Sequence, residues 1–270
     1  MSDGVAGLSM YDWPEVQKHN DALWEMIFQS LKKRNITAPQ HLTREKDHYE
    51  IWLATDLIIG QTCGLNAIRE LQGRVEVLGA LDYGLEGCQA GQYRSVIVCR
   101  VDDEAQRVED FVHKTAAINS DDSYSGYGAL LATVNPFVRE GKFFEKTLVC
   151  GSHRQSIKAI ANKQADIAAI DEVVWNLAFD YEPAVDRLRV IGKTQPMPAP
   201  PLITNWSNNS LRNVLNEAIE EAVSLLDETA KSALQLYGYK LMESVDYEPI
   251  SIQLNEIKEP QTILGVKNFD

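Results

Sequence analysis

The chain has 270 residues, enough for two modest domains or one large one, with the 44% apolar and 24% charged content of an ordinary globular protein. A formal net charge of −13 excludes broad electrostatic attraction to nucleic acid or to an acidic membrane. A small anion stays open, because a narrow pocket responds to local dipoles more than to net charge.

Val5 to Met10 reads as a first strand. Asp12 is expected to cap the helix that follows, with Pro14 in its first turn and Glu15 three residues after the cap. Leu23, Trp24, Ile27 and Leu31 recur at helical spacing and give that helix one apolar face. Leu57 to Gly60 is a second strand, ending in Gln61-Thr62-Cys63-Gly64 before a helix from Leu65 to Leu71, and Val75 to Leu81 is a third. Tyr93 to Val101 (YRSVIVCRV) is β-branched and free of breakers.

A second alternating series follows. Thr115 to Asn119 is a strand whose turn, Ser120 to Gly126, leads into a helix from Tyr127 to Val134. Lys146 to Cys150 is a strand, and Gly151-Ser152-His153 leads into a helix from Arg154 to Asn162. Ala165 to Ile170 is a strand, with Asp171 capping a helix from Glu172 to Phe179, and Leu188 to Gly192 closes the series.

Pro196 to Pro201 carries four prolines in six residues and reads as an extended crossing segment. Leu202 to Thr204 is β-like, Ser210 to Leu226 helical, and Asp227 is expected to cap the last helix. From Ser244 onward the periodicity is weak, as in a wrapping or loose tail. Strands alternating with helices predict mostly parallel sheets flanked by helices. The crossing points near Tyr93 and Pro196 predict an inserted-domain layout, with 1–92 plus 200–270 as one lobe and 93–199 as the other.

The four cysteines, Cys63, Cys88, Cys99 and Cys150, show no metal-site spacing. Cys99 and Cys150 sit in apolar runs and are expected to be buried strand residues. Cys63 and Cys88 lie in glycine-flanked turns, where either a disulfide or two thiols fits the pattern. No dinucleotide fingerprint or phosphate-binding loop is present, so no cofactor is expected. No apolar run reaches the roughly 18–20 residues of a membrane span. Met1 to Tyr11 lacks the basic start and apolar stretch of a signal peptide, so the chain as given reads as cytoplasmic.

In open sheets of this kind, ligands sit beyond the carboxyl ends of strands, beside helix N-termini. Ser123-Tyr124-Ser125-Gly126 offers two hydroxyls and free backbone N–H groups at a helix start, which suits an anion; the competing reading is a plain N-cap. His153 is either a donor to an anion or a solvent-facing turn residue. Asp171 is either a cap or an acceptor for a protonated phosphoryl oxygen or a ligand amine. Gln61 and Thr62 offer neutral donors from the other lobe or cap their own helix. Asp121 and Asp122 precede the cradle and are expected to point outward.

Taken together, Ser9-Met10-Tyr11-Asp12, Tyr93 to Val98, Asn119 to Tyr127, Gly151-Ser152-His153 with Ser156, and Ala165 to Asp171 resemble one family. It is the phosphate/phosphite/phosphonate-binding family of ABC-transporter solute-binding proteins, and the likeness runs to about Tyr247. The resemblance implies a two-lobed type II periplasmic-binding-protein fold with the ligand in an interlobe cleft reached by hinge closure. It implies a phosphonate or phosphate-like ligand held by Ser123, Tyr124, Ser125 and His153. Asp171 would face the cleft, and Tyr11, Gln61 and Thr62 would supply the opposite lobe. It also implies a permease partner and a periplasmic location once a leader has been removed.

Three alternatives compete with a non-enzymatic binding role. Ser125, His153 and Asp171 supply the residue types of a hydrolytic triad, but no G-x-S-x-G elbow surrounds either serine. A biosynthetic enzyme on the same fold, acting on a small acid, is the second. A ligand sensor that passes lobe closure to a partner is the third.

Overall fold

The structure is a computed structural model that describes residues 3–139 and 141–265. In chain order its elements are β1 (Val5–Gly7), α1 (Gln17–Lys33), α2 (His48–Trp52), β2 (Leu57–Gln61), α3 (Gly64–Ile68), β3 (Val75–Asp82), β4 (Gln92–Tyr93) and β5 (Ser95–Arg100). There follow β6 (Thr115–Ile118), a wide π-type turn (Tyr124–Gly128), α4 (Ala129–Val134), β7 (Lys146–Val149), α5 (His153–Ala161), β8 (Ile167–Asp171), α6 (Glu172–Tyr181) and β9 (Leu188–Lys193). The last part comprises β10 (Met197–Pro198), β11 (Pro201–Asn205), α7 (Arg212–Leu225), α8 (Glu228–Leu234), β12 (Gly238–Leu241), α9 (Glu248–Asn255) and α10 (Pro260–Ile263).

These elements form two compact units. One is built from the chain up to Tyr93 and from Met197–Glu248; the other from Arg94–Pro196 and from Pro249 onward. The first unit holds a five-stranded sheet in the order β1-β2-β11-β3-β12, the second a five-stranded sheet in the order β7-β6-β8-β5-β9. A short β4–β10 ladder pairs the two crossing segments, Tyr93 with Met197 and Gln92 with Pro198.

Both sheets are mixed. β1 and β2 are parallel, as are β6 with β7 and with β8, which is the pattern expected where helices connect successive strands. The strands that follow the crossing segments enter from the other end: β11 runs antiparallel to β2 and β3, and β5 antiparallel to β8 and β9. Pro201 sits inside a central strand without loss because it is the first residue of β11.

Several expectations are corrected. Asp12 does not cap α1, whose N-cap is Val16 after a tight Tyr11–Val16 turn. The Asp12 carboxylate is taken by Arg44, whose Nε donates to it at 2.6 Å, and by Asn20 Nδ2 at 2.9 Å. The apolar stripe itself is as its spacing requires, with Leu23, Trp24, Ile27 and Leu31 all buried. Cys99 is buried in β5, but Cys150 lies one residue past β7 and is half-buried, because β7 is an edge strand with one face open.

Residues 249–265 are folded and belong to the second unit, not to the first as the 200–270 boundary expected. Ile250, Leu254, Ile257, Ile263 and Leu264 are buried, each worth about 1.5–3 kcal/mol when fully removed from water. Ile263 O accepts from the Phe143 and Phe144 N–H groups at 3.2 and 3.0 Å, and Thr147 Oγ1 donates to Leu264 O at 2.6 Å. Asp227 caps α8 by accepting from Ala230 N, as its position predicts, but α8 is not the last helix.

Candidate functional site

The second unit gathers its polar turns at the carboxyl ends of β6, β7 and β8. Ser123 is the N-cap of the wide turn, its Oγ accepting from Gly126 N at 3.4 Å. Ser125 follows with its Oγ 3.5 Å from Ser123 Oγ and 2.8 Å from His153 Nε2. Gly126 has to be glycine, because a Cβ there would collide with Asn119 Oδ1. His153 opens α5, a helix capped by Ser152, whose Oγ accepts from Gln155 N at 3.2 Å. Gly151, at φ +85°, supplies the left-handed residue that turns the chain from β7 into that cap.

Ser123, Ser125 and His153 are buried, and burial sets the charge of the imidazole. The His153 pKa falls from 6.5 to about 3 through desolvation, against a smaller upward pull from the Ala169 backbone. The ring is therefore neutral at pH 7. It can donate to, or accept from, Ser125 Oγ according to tautomer, and with Nε2 on Ser125 its Nδ1 is left to the Ala169 backbone, short of a well-formed hydrogen bond.

Among the described residues, the buried side-chain polar atoms without a partner are Thr62 Oγ1, Asn119 Oδ1 and His153 Nδ1. Each lies at the carboxyl end of a strand or the helix start that follows it: Thr62 after β2, Asn119 after β6 and His153 after β7. An unpaired buried polar group costs about 1–3 kcal/mol, so such atoms mark places where the fold itself does not complete the bonding.

The other expected residues are occupied. Asp171 is a helix cap, its Oδ1 accepting from Val173 N at 2.8 Å and Val174 N at 3.4 Å. The Tyr124 hydroxyl donates to Gln253 Oε1 of α9 at 2.5 Å, so its side chain holds the chain end. In the first unit, Gln61 Nε2 donates to Tyr83 Oη at 3.1 Å, and Gln61 O accepts from Trp52 Nε1 at 2.8 Å and Ser9 Oγ at 3.4 Å. Tyr11 is buried with its ring edge-on to Tyr83, centroids 5.0 Å apart. Asp121 is exposed and Asp122 half-buried.

Sequence reasoning missed Tyr83 and Ser95. Tyr83 lies just beyond β3 and carries no motif. Ser95 belongs to the YRSVIV run, whose β pattern drew attention away from its one hydroxyl; that hydroxyl donates to Ser125 O at 2.8 Å.

The family model for the ABC-transporter phosphonate periplasmic substrate-binding protein matches residues 59–249, well over half of the chain. The chain belongs to this family. No curated protein matches the sequence. Among solved structures, PhnD1 from Prochlorococcus marinus in complex with methylphosphonate is similar at 17% identity and TM-score 0.70, covering 94% of this chain and 98% of that one. A binding-protein component of an ABC phosphonate transporter from Pseudomonas aeruginosa is similar at 20% identity and TM-score 0.70, covering 92% and 84%. A Xanthomonas citri protein bound to chloride is similar at 15% identity and TM-score 0.70, covering 94% and 98%. At these identities the likeness shows the type II periplasmic-binding-protein fold alone, while the family match adds the transporter-component class. Among the described residues of this family member, no helix is long and apolar enough to cross a membrane.

Proposed function

We propose that this phosphonate-binding family member captures a small phosphorus oxyanion on the Ser123–Ser125–His153 cradle, without turnover, as the receptor component of an ABC transporter. The observation that carries the reading is the buried cluster of Ser123, Ser125 and His153 at strand-to-helix turns, with Ser125 Oγ 3.5 Å from Ser123 Oγ and 2.8 Å from His153 Nε2. A phosphorus oxyanion accepts hydrogen bonds, so the serine hydroxyls, the imidazole N–H and the unpartnered Thr62 hydroxyl can donate to it, while Asn119 Oδ1, itself an acceptor, would need a protonated phosphoryl oxygen. Hydrogen bonds to a charged ligand contribute about 1.5–3 kcal/mol each, so a few of them suffice for tight capture. Thr62 and Tyr11 are the proposed contributions of the first unit. Gln61, Tyr124 and Asp171 act in this reading through the positions of their neighbours.

The Ser125–His153 hydrogen bond, at 2.8 Å, favours one competing reading, a serine nucleophile with its base. Three observations weigh against it. His153 Nδ1 has no carboxylate to orient it, Asp171 is committed to α6, and an imidazole neutral down to about pH 3 is a poor proton acceptor.

A thermal-shift panel of methylphosphonate, phosphite, phosphate, sulfate and acetate tests the proposal. A ligand at about 100 times its Kd stabilises the native state by roughly 2.7 kcal/mol, a rise of roughly 5–10 °C for this size. A selective shift with a phosphorus oxyanion is expected. No shift with any of the five, on protein shown by mass spectrometry to carry no ligand, would defeat the reading. Hinge closure is part of the proposal, and the radius of gyration should fall when the effective ligand is added.

A further inference from the structure

The cradle is tied to the segments by which the chain enters and leaves the second unit. The chain first enters at Arg94 and leaves after Pro196, returning at Pro249. Ser95 N donates to Thr194 Oγ1 at 2.9 Å, and Thr194 N donates to Ser95 O at 2.9 Å, so the two crossing segments are stitched together at once. Glu172 fastens both to the start of α6. Its N–H donates to Arg94 O at 3.0 Å, its Oε2 accepts from Arg94 Nε at 2.6 Å, and its Oε1 accepts from Lys193 Nζ at 2.7 Å.

Ser95 then reaches the cradle. Its register partner across the sheet is Asp171, the α6 cap, and its Oγ donates to Ser125 O at 2.8 Å. The Ser125–Gly126 peptide is thus held on both sides, its carbonyl by Ser95 Oγ and its N–H by Ser123 Oγ. Ser95 is 1% exposed in a strand whose other residues from Val96 to Cys99 are apolar and buried. A hydroxyl at such a position costs stability unless it is bonded, and an alanine or valine would serve the sheet as well. The bond it makes goes to one of the two peptides that flank Ser125 and orient its side chain.

We propose that Ser95 is a positioning residue for the cradle and that, with Glu172, it makes the cradle and both crossing segments behave as one mechanical body. Movement of the crossing segments is then transmitted to Ser125, and occupation of the cradle is transmitted back. The part of this inference that concerns ligand affinity rests on the oxyanion reading; the mechanical part stands on the free protein.

The test is amide hydrogen exchange of the free protein together with calorimetric titration of methylphosphonate, on wild type, Ser95→Ala and Glu172→Gln. In Ser95→Ala, exchange at residues 123–128 should quicken about tenfold while the amides of β6 and β8 keep their protection, and affinity should fall about tenfold, as for one buried hydrogen bond. In Glu172→Gln, exchange should quicken at 94–95 and 193–196. Unchanged exchange at 123–128 in Ser95→Ala would overturn the inference whatever the ligand does, and faster exchange with unchanged methylphosphonate affinity would overturn its ligand part. If exchange responds as stated but wild type binds no member of the oxyanion panel, the mechanical coupling stands and the proposed ligand class falls.

Discussion

The strand-to-helix turns of the two units use the same kinds of residue to opposite ends. In the first unit, the turn after β2 is nearly closed: Gln61 has its carbonyl occupied by Trp52 and Ser9 and its amide by Tyr83, leaving Thr62 Oγ1 as the atom without a partner. In the second unit, the turns after β6 and β7 bring two serine hydroxyls and a neutral imidazole together, and leave Asn119 Oδ1 and His153 Nδ1 unpaired. Polar side chains at the ends of strands therefore divide into those whose bonding the fold completes and those proposed above to take a ligand.

That division can be broken by substitution. The largest effect belongs to Ser125→Ala combined with His153→Ala, which should reduce oxyanion affinity at least ~100-fold by calorimetry, as two or more hydrogen bonds to a charged group are lost. Gly126→Ala comes next: the added Cβ meets Asn119 Oδ1, and overpacking of this kind costs roughly 1–3 kcal/mol. Its Tm should fall by several degrees and binding should fall with it.

Thr62→Val separates folding from binding within the first unit. It removes a buried hydroxyl that has no partner, so Tm should hold or rise while oxyanion affinity falls about tenfold. Tyr83→Phe should do the reverse, lowering stability by about 1 kcal/mol through the lost Gln61 bond while affinity changes less than about threefold.

A further test is a pH dependence of stability. The folded-state pKa of His153 lies near 3, below its ordinary 6.5, so the unfolded chain takes up a proton first. Its contribution is complete above about pH 6.5 and is lost as pH falls toward about 3. Chemical denaturation between pH 7 and pH 4 should therefore show a shallower decline in His153→Gln than in wild type.

Much of the architecture was legible because its signals are local. The β-branched run Ser95–Arg100 and the Leu23/Trp24/Ile27/Leu31 stripe fall where period and propensity put them. The fate of the chain end was not. Ile250, Leu254 and Ile257 do recur at helical spacing, but this segment is anchored through Ile263 O to the Phe143 and Phe144 N–H groups and through Gln253 to the Tyr124 hydroxyl, more than a hundred residues earlier. Sheet direction escaped for the same reason, since β5 and β11 take theirs from the crossing segments that precede them.

The site was legible as a set of residue types and not as a set of roles. Ser123, Ser125 and His153 stand together as the family resemblance implied and Asp171 is the cap its position predicted, whereas Tyr124 is a tether for α9. Each role is decided by a partner, Val173 N or Gln253, that no motif contains. Asp12 is the same lesson in the first unit, a fitting cap by sequence that is claimed by Arg44 from 32 positions away.

The most direct measurement is the ring 15N signal of His153, one of five histidines and assignable by His153→Gln, followed while methylphosphonate is added at pH 7. The account predicts a neutral imidazole in the free protein whose shifts move saturably, with the same Kd as calorimetry reports and without protonation. Binding of the ligand with the His153 signals unmoved would place the oxyanion elsewhere and contradict the account.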